Sequence, residues 1–338
     1  MTTCVHGSQV GVITTTKNRA DFIERLLQYL SAINFRGSFH LGDASDDSER
    51  GRIFRALELN GKDYEVHVVD CRGMSIGASI HEASKTCSRR YATFIGDDDF
   101  FLLPGLDHSV EFLETHSDYA AAHGTGFAFT LDREGPFGVP IQFCSYPMPI
   151  LEQGTPLERL TFLLTHYGVT LFSVMRTPLF QHIFSDLNRV EDSTFRDELI
   201  PCSLVAVTGK VAELPLPHVI RQSHPRRHQL PPIDEWIRSD AFSRSARDYN
   251  DRINTEIASI QRQESKEVPE LSWGALRIYI ARQMAKDVLN IPLSHPNDPR
   301  GVEFDPSEVI RIASEPTSPF YEFIRALSKS SMNRLSFR

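Results

Sequence analysis

A mostly parallel α/β sheet with helices on both faces is the fold class that this 338-residue sequence predicts. Three observations carry it. Strand-like and helix-like segments alternate through the first 130 residues. Polar clusters fall at three strand ends, where such sheets place their ligands. From about Ile233 the character changes to helix without strands, which divides the chain into residues 1–232 and a helical extension, 233–338.

Each element has its own signal. "QVGVITTT" (Gln9 to Thr16) is apolar and β-branched and reads as a buried strand. "ADFIERLLQYL" comes next as a helix with Phe22, Leu26, Leu27 and Leu30 on one face. "SFHLGDAS" is a second strand ending in a turn, "SERGRIFRALEL" a second helix, and Tyr64 to Asp70 a third strand. "SIGASIHEASKTCS" is a third helix, since Ile76, Ile80 and Ala83 are spaced by four and three. The strand "YATFIG" leads into three aspartates, and Pro104 suits the start of the helix "PGLDHSVEFLETH". Residues 131–160 are rich in Gly and Pro and read as a long excursion. "GVTLFSVMR" is a further strand, "STFRDELIPCSLVAV" a helix, and "KVAELPLPHVIRQSHPRRH" a strand running into a basic, His-rich segment. Beyond it Phe242, Tyr249, Ile253, Ile257 and Ile260 recur at helical spacing, as do Trp273, Leu276, Ile280, Met284 and Val288. That apolar face must pack on the main body or on another subunit, which suits oligomerisation or partner docking.

Composition narrows the function. The chain is 41% hydrophobic and 24% charged, an ordinary globular balance, and its net charge of −8 argues against a nucleic-acid binder. No apolar run approaches the roughly 18 residues of a bilayer span, so an integral membrane protein is not expected. The N-terminus lacks the basic and apolar regions of a signal peptide. Five scattered cysteines without a C-x-x-C pair argue against a disulfide framework or a cysteine-built zinc site. The cytoplasm is the expected compartment, with at most a peripheral place at the inner membrane face. The basic tail "LSKSSMNRLSFR" is the only segment to suggest that place, and a solvated terminus is its plainer reading.

The strand-end clusters are "TTTKNR", "GDAS" and "GDDD". Three adjacent carboxylates need a positive partner. Mg2+ or Mn2+ is one that binds carboxylate and phosphate oxygens together. A solvated acidic turn is the plain alternative. A Gly-rich nucleotidyltransferase loop, a Walker loop and a dinucleotide fingerprint are all absent. An acidic pair after the first strand, as an aspartyl phosphatase needs, is absent too.

The order of "VITTTKNR", "GDAS", "IGDDD", a carboxylate pair near residue 197 and a late "RQSH" resembles the inverting, family-2-like glycosyltransferases of the GT-A fold, over about residues 9–228. The resemblance implies a nucleotide contact at Thr14, Thr15, Thr16, Asn18 and Arg19, and a base contact at Asp43 with Ser45. Helix capping is the alternative role for Asn18, Asp43 and Asp46. The metal motif has two registers. Either Asp97 and Asp99 form Asp-x-Asp, or Gly96 stands in the first acidic place, with Asp98 as ligand and Asp97 near the ribose. Asp98, Asp99 and His224 are thus the metal candidates, and Arg221, Arg226 and Arg227 the diphosphate partners, with His218 and His228 flanking.

An inverting transfer needs a general base for the acceptor hydroxyl. The resemblance places it in "FRDEL", at Asp197 or Glu198, with Glu191 and Asp192 as a rival placement and a surface pairing with Arg189 or Arg196 as the bland one. Gly77 stands where relatives keep a glycine, without their neighbouring Asn and Arg. The expectation is transfer from a sugar nucleotide, UDP-linked by preference, to a glycan, lipid-linked or protein acceptor. The other expectation is a degenerate nucleotide-sugar binder or scaffold with the same fold.

Overall fold

The computed structural model describes residues 7–61, 64–227, 230–261, 269–289 and 302–328; His228 and most of the basic tail lie outside them. In order, the elements are β1 (Val10–Thr16), α1 (Ala20–Ala32), β2 (Ser38–Asp43), α2 (Asp47–Asn60), β3 (Glu65–Asp70), α3 (Ile76–Lys85), β4 (Tyr91–Phe94), β5 (Phe100–Phe101) and α4 (Leu103–Thr115). Next come β6 (Tyr119–Leu131), β7 (Pro140–Tyr146), α5 (Pro156–Thr165), β8 (Val174–Arg176), α6 (Thr177–Ile183), α7 (Ile200–Thr208) and β9 (Lys210–Gln222). The last third holds α8 (Ile233–Trp236), α9 (Phe242–Gln261), α10 (Pro269–Asp287), β10 (Glu303–Phe304), α11 (Pro306–Ala313) and α12 (Tyr321–Ala326).

Among the described residues one ten-stranded sheet runs β10-β7-β6-β8-β4-β1-β2-β3, with β9 beside β6 and β5 beside β9. The four strands β4, β1, β2 and β3 are parallel. Beyond β4 the sheet is mixed, because β8 and β7 run antiparallel to their neighbours while β9 runs parallel to β6. β1 lies inside the sheet with both faces covered. Adjacent strand residues point to opposite faces, and Val12 and Ile13 accordingly join two separate apolar clusters, both at 0% exposure. Each such side chain contributes about 1.5–3 kcal/mol by leaving water.

Three segments depart from the sequence expectation. The excursion at 131–160 contains β7 and the start of α5. β7 was hidden because Ile141 and Gln142 are both exposed, which breaks the alternation of a half-buried strand. α5 opens on a capping box, with Thr155 Oγ1 accepting from the Glu158 N–H and Glu158 Oε2 from the Thr155 N–H. "GVTLFSVMR" is strand only at Val174–Arg176. The extension is not purely helical, since β10 pairs with β7.

The apolar face of the extension packs on the main body. Tyr249, Ile253, Ile257, Leu276 and Tyr279 are buried in the same cluster as Phe195 and Leu199. Phe323, Ala326 and Leu327 join Phe100 and Phe129 on the opposite side of the sheet. Among the described residues no helix is long and apolar enough to cross a membrane, and the four described cysteines are unbridged.

Candidate active site

A cleft of about 1190 Å3 opens at the carboxyl ends of β1 and β4. Thr15, Thr16, Arg19, Asp97, Asp98, Asp197, Glu198, Arg221 and His224 all line it. Asn18, Asp43, Ser45, Gly77 and Asp99 are not among its lining residues. The sheet register explains the gathering. β5 pairs with β9 through Phe100–Ile220 and Phe101–Val219, which brings Arg221 and Gln222 beside the turn that carries the aspartates.

Each of the three aspartates has a different set of partners, with Arg19 shared by the first two. Thr16 Oγ1 donates to Asp97 Oδ2 at 2.7 Å, and Arg19 Nη1 lies 3.2 Å from Asp97 Oδ1. Asp98 Oδ2 accepts from Arg19 Nη2 and lies equally close, 2.8 Å, to His224 Nε2. Asp99 accepts from the Gln222 N–H at 3.0 Å and from Arg221 Nε at 3.1 Å, so both its oxygens are engaged. The carboxyl groups respond in opposite directions. Burial raises Asp97 above the ordinary range, and the Asp98 charge adds to it. Burial works against Asp98 as well, but the bond from His224 and the Arg19 charge outweigh it and hold Asp98 low. The turn itself needs Gly96, because a Cβ there would stand 2.6 Å from Asp98 Oδ1 and 3.0 Å from Asp99 Oδ2. An acid at 96 has no room beneath this arrangement.

The cations are fixed by packing. Arg221 lies between the rings of Phe172 and Tyr146, at 4.3 and 4.8 Å, and donates to the Tyr146 hydroxyl at 2.9 Å. Arg19 lies over Phe22 at 4.3 Å, and the same ring stacks on His224 at 5.3 Å. His218 is a core residue. Its Nε2 donates to the Phe172 carbonyl at 2.8 Å, and burial lowers its pKa to about 4.

The β1 and β2 loops are stitched together. Asn18, in the left-handed region at φ 55°, donates its N–H to Ser45 Oγ at 2.9 Å and accepts the Asp46 N–H at 2.9 Å. Asp46 caps α2, through the Glu49 N–H. Asp43 is 0% exposed; its Oδ1 accepts the Ser45 N–H, while Oδ2 has no hydrogen-bond donor among the described residues.

A second group of carboxylates, Asp197 and Glu198, lines the same cleft. Phe195–Leu199 form a single π turn, a distortion frequent at functional sites. Asp197 Oδ1 accepts from the Gly77 N–H at 2.9 Å and from Arg196 Nε at 3.0 Å, and Oδ2 accepts from Arg196 Nη2 at 3.1 Å. Glu198 Oε1 accepts from the Tyr167 hydroxyl at 2.9 Å, and Tyr167 packs edge-on against Tyr279 of α10. Glu191 pairs with Arg244, and Asp192 Oδ1 accepts from the Phe195 N–H and Trp236 Nε1, both at 3.0 Å. A Cβ at Gly77 would stand 2.9 Å from Asp197 Oδ1. Gly77→Ala should therefore push this carboxylate off the start of α3 and lower the melting temperature by roughly 2–5 °C. An unchanged thermal unfolding curve would show that the close approach does not matter.

Sequence reasoning missed Tyr146, Phe172, Tyr167 and Arg25. Only Arg25 left a signal, as a charge three residues after Phe22 and four before Tyr29 on the apolar face of α1. Among the described residues no cluster of three or more His, Cys, Asp or Glu side chains is arranged for a metal; Asp98 and His224 form a pair.

No protein-family profile and no curated protein matches this chain. Solved structures do. S. aureus TarS 1-349 in complex with UDP-GlcNAc matches with a TM-score of 0.51 at 14% identity, over 97% of this chain and 86% of that one. The same TarS fragment without that ligand matches at 0.50 and 13%, over 97% and 85%. The longer S. aureus TarS structure matches at 0.50 and 14%, over 97% of this chain and 52% of that one. At such identities the likeness is one of fold: the chain has the architecture of the TarS structures, and the GT-A class expected from its sequence is borne out.

Proposed function

We propose that this protein transfers a sugar from a nucleoside diphosphate donor, UDP-linked by preference, to an acceptor hydroxyl with inversion. The observation that carries the reading is one cleft lined both by Asp98, His224, Arg19 and Arg221 and by the carboxylates Asp197 and Glu198. The bound UDP-GlcNAc of the TarS fragment supports a sugar-nucleotide donor for this fold.

On this reading Asp43 Oδ2, which has Arg50 Nη1 at 3.9 Å but no hydrogen bond, meets an N–H of the base, and Arg19 and Arg221 meet the diphosphate. The donor chemistry of Asp98 and His224 fits a divalent cation. Mg2+ and Mn2+ commonly take one or two protein ligands and complete their shell with phosphate oxygens and water. When bound, such an ion neutralises charge on the departing diphosphate. Asp99 is left out of the ligand set, because its oxygens anchor Arg221 and Gln222. Asp197 orders Arg196 and the start of α3, and Glu198, which lines the cleft with the Tyr167 hydroxyl bonded to its Oε1, takes the base role. Glu198 takes the acceptor proton as the acceptor oxygen bonds to the anomeric carbon. The bond from that carbon to the diphosphate oxygen breaks, and Arg19 and Arg221 receive the charge. The helical extension buttresses Tyr167 through Tyr279.

The test is a panel of UDP-, GDP- and CMP-sugars with Mn2+ and an excess of simple sugar acceptors, then the same panel with EDTA. Release of nucleotide from one donor, lost with EDTA, is expected. Nucleotide binding with no turnover on any donor would favour the degenerate-binder reading.

A further inference from the structure

Arg25 of α1 is 0% exposed and does not line the cleft, yet its guanidinium reaches the acidic turn from behind. Nη2 donates to the main-chain carbonyl of Asp98 at 2.6 Å. Nη1 donates to Gln222 Oε1 and to the Pro136 carbonyl, both at 2.7 Å. Gln222 carries the link onward, from its N–H to Asp99 Oδ1 at 3.0 Å and from its side-chain amide to the Gly135 carbonyl at 2.9 Å. One fork thus ties together the aspartate turn, the end of β9 and the turn before β7. The Phe100 ring closes over the guanidinium at 4.5 Å.

A buried charge persists only where hydrogen bonds and opposite charge offset its desolvation. Here the opposite charge is the aspartate triplet. The other cations on that triplet differ in kind. Arg19 is 16% exposed at its side chain and holds Asp97 and Asp98 from the cleft side, where His224 also stands. A bound diphosphate competes for Arg19. It cannot reach Arg25.

We propose that Arg25 is a positioning residue of this site. It pins the main chain at Asp98 and remains a fixed positive charge behind the carboxylates while Arg19 turns to the ligand. The proposal rests on the sugar-nucleotide reading. It differs from a purely structural role because it requires the fork to matter for binding in molecules that are already folded.

The experiment compares Arg25→Lys, Arg25→Met and Tyr29→Phe in the full chain, by thermal unfolding and by calorimetric titration of UDP with Mn2+. Tyr29 lies one turn further along α1, in the same core, and its hydroxyl donates to the Phe101 carbonyl at 2.7 Å. Tyr29→Phe should lower stability and leave UDP affinity unchanged. Arg25→Lys keeps the charge and loses the fork. At temperatures well below its melting point it should bind UDP about tenfold more weakly, the scale of a misplaced binding group, and Arg25→Met more weakly still. If folded Arg25→Lys and Arg25→Met bind UDP as the parent does, Arg25 is structural only and the proposal fails alone. If the parent itself binds no nucleoside diphosphate, the sugar-nucleotide reading falls and takes this proposal with it.

Discussion

Asp98→Ala should weaken UDP binding in the presence of Mn2+ at least tenfold and reduce sugar transfer by about 10²–10³, the scale of losing one preorganised charge-stabilising group. The sign decides between two accounts of the acidic turn. If Asp98 acted only through its own negative charge, removing it would lessen repulsion of the diphosphate and tighten binding. If Asp98 recruits a cation with His224, 2.8 Å away, removing it must weaken binding and abolish the Mn2+ dependence. Loss of fold is not expected, since Arg19 keeps its pairing with Asp97 and Asp99 keeps both its donors. Titration of the variant with UDP, with and without Mn2+, reads the result directly. Tighter or unchanged binding would remove the cation from the site.

Glu198→Gln should lower the rate of transfer by about 10²–10⁴, the usual worth of a positioned general base, and leave UDP affinity within about twofold of the parent. Glutamine keeps the length of the side chain and an oxygen for the Tyr167 hydroxyl, so the wall of the cleft stays intact. Asp197→Asn is the contrast. It weakens the bidentate pairing with Arg196 and the bond at Gly77, so its main effect should be on stability. Steady-state kinetics on both variants, beside their melting curves, separate the roles. A large rate loss in Asp197→Asn with Glu198→Gln fully active would exchange the two assignments.

The parts of this site that were legible in the sequence are those set at strand ends. β1, β2 and β4 announce themselves by apolar and β-branched runs, and the sheet then places the residues at the carboxyl end of each run. That is why Thr16, Arg19 and Asp98 were readable as neighbours although some 80 residues separate them along the chain. The GT-A class came from the order of the motifs at those strand ends, through their resemblance to family-2-like glycosyltransferases. The illegible parts depend on long-range pairing. Tyr146 belongs to a strand with two successive exposed residues, and Phe172 to a loop that resembles a strand in composition. Both meet Arg221 only because β9 lies parallel to β6 and brings its end to the cleft. The division of labour among the three aspartates was equally hidden. Identical side chains in a row differ only in what the fold brings to each, here Thr16, His224 and the Gln222 N–H.

Crystals of the protein grown with UDP and MnCl2, measured at the manganese absorption edge, put the cation and the nucleotide in one experiment. The expected result is an anomalous peak shared by Asp98 and His224, with the diphosphate beside Arg19 and Arg221 and the sugar end of the cleft toward Glu198. Nucleotide density elsewhere in the molecule, or a diphosphate in this cleft with manganese on neither Asp98 nor His224, would contradict the proposed function.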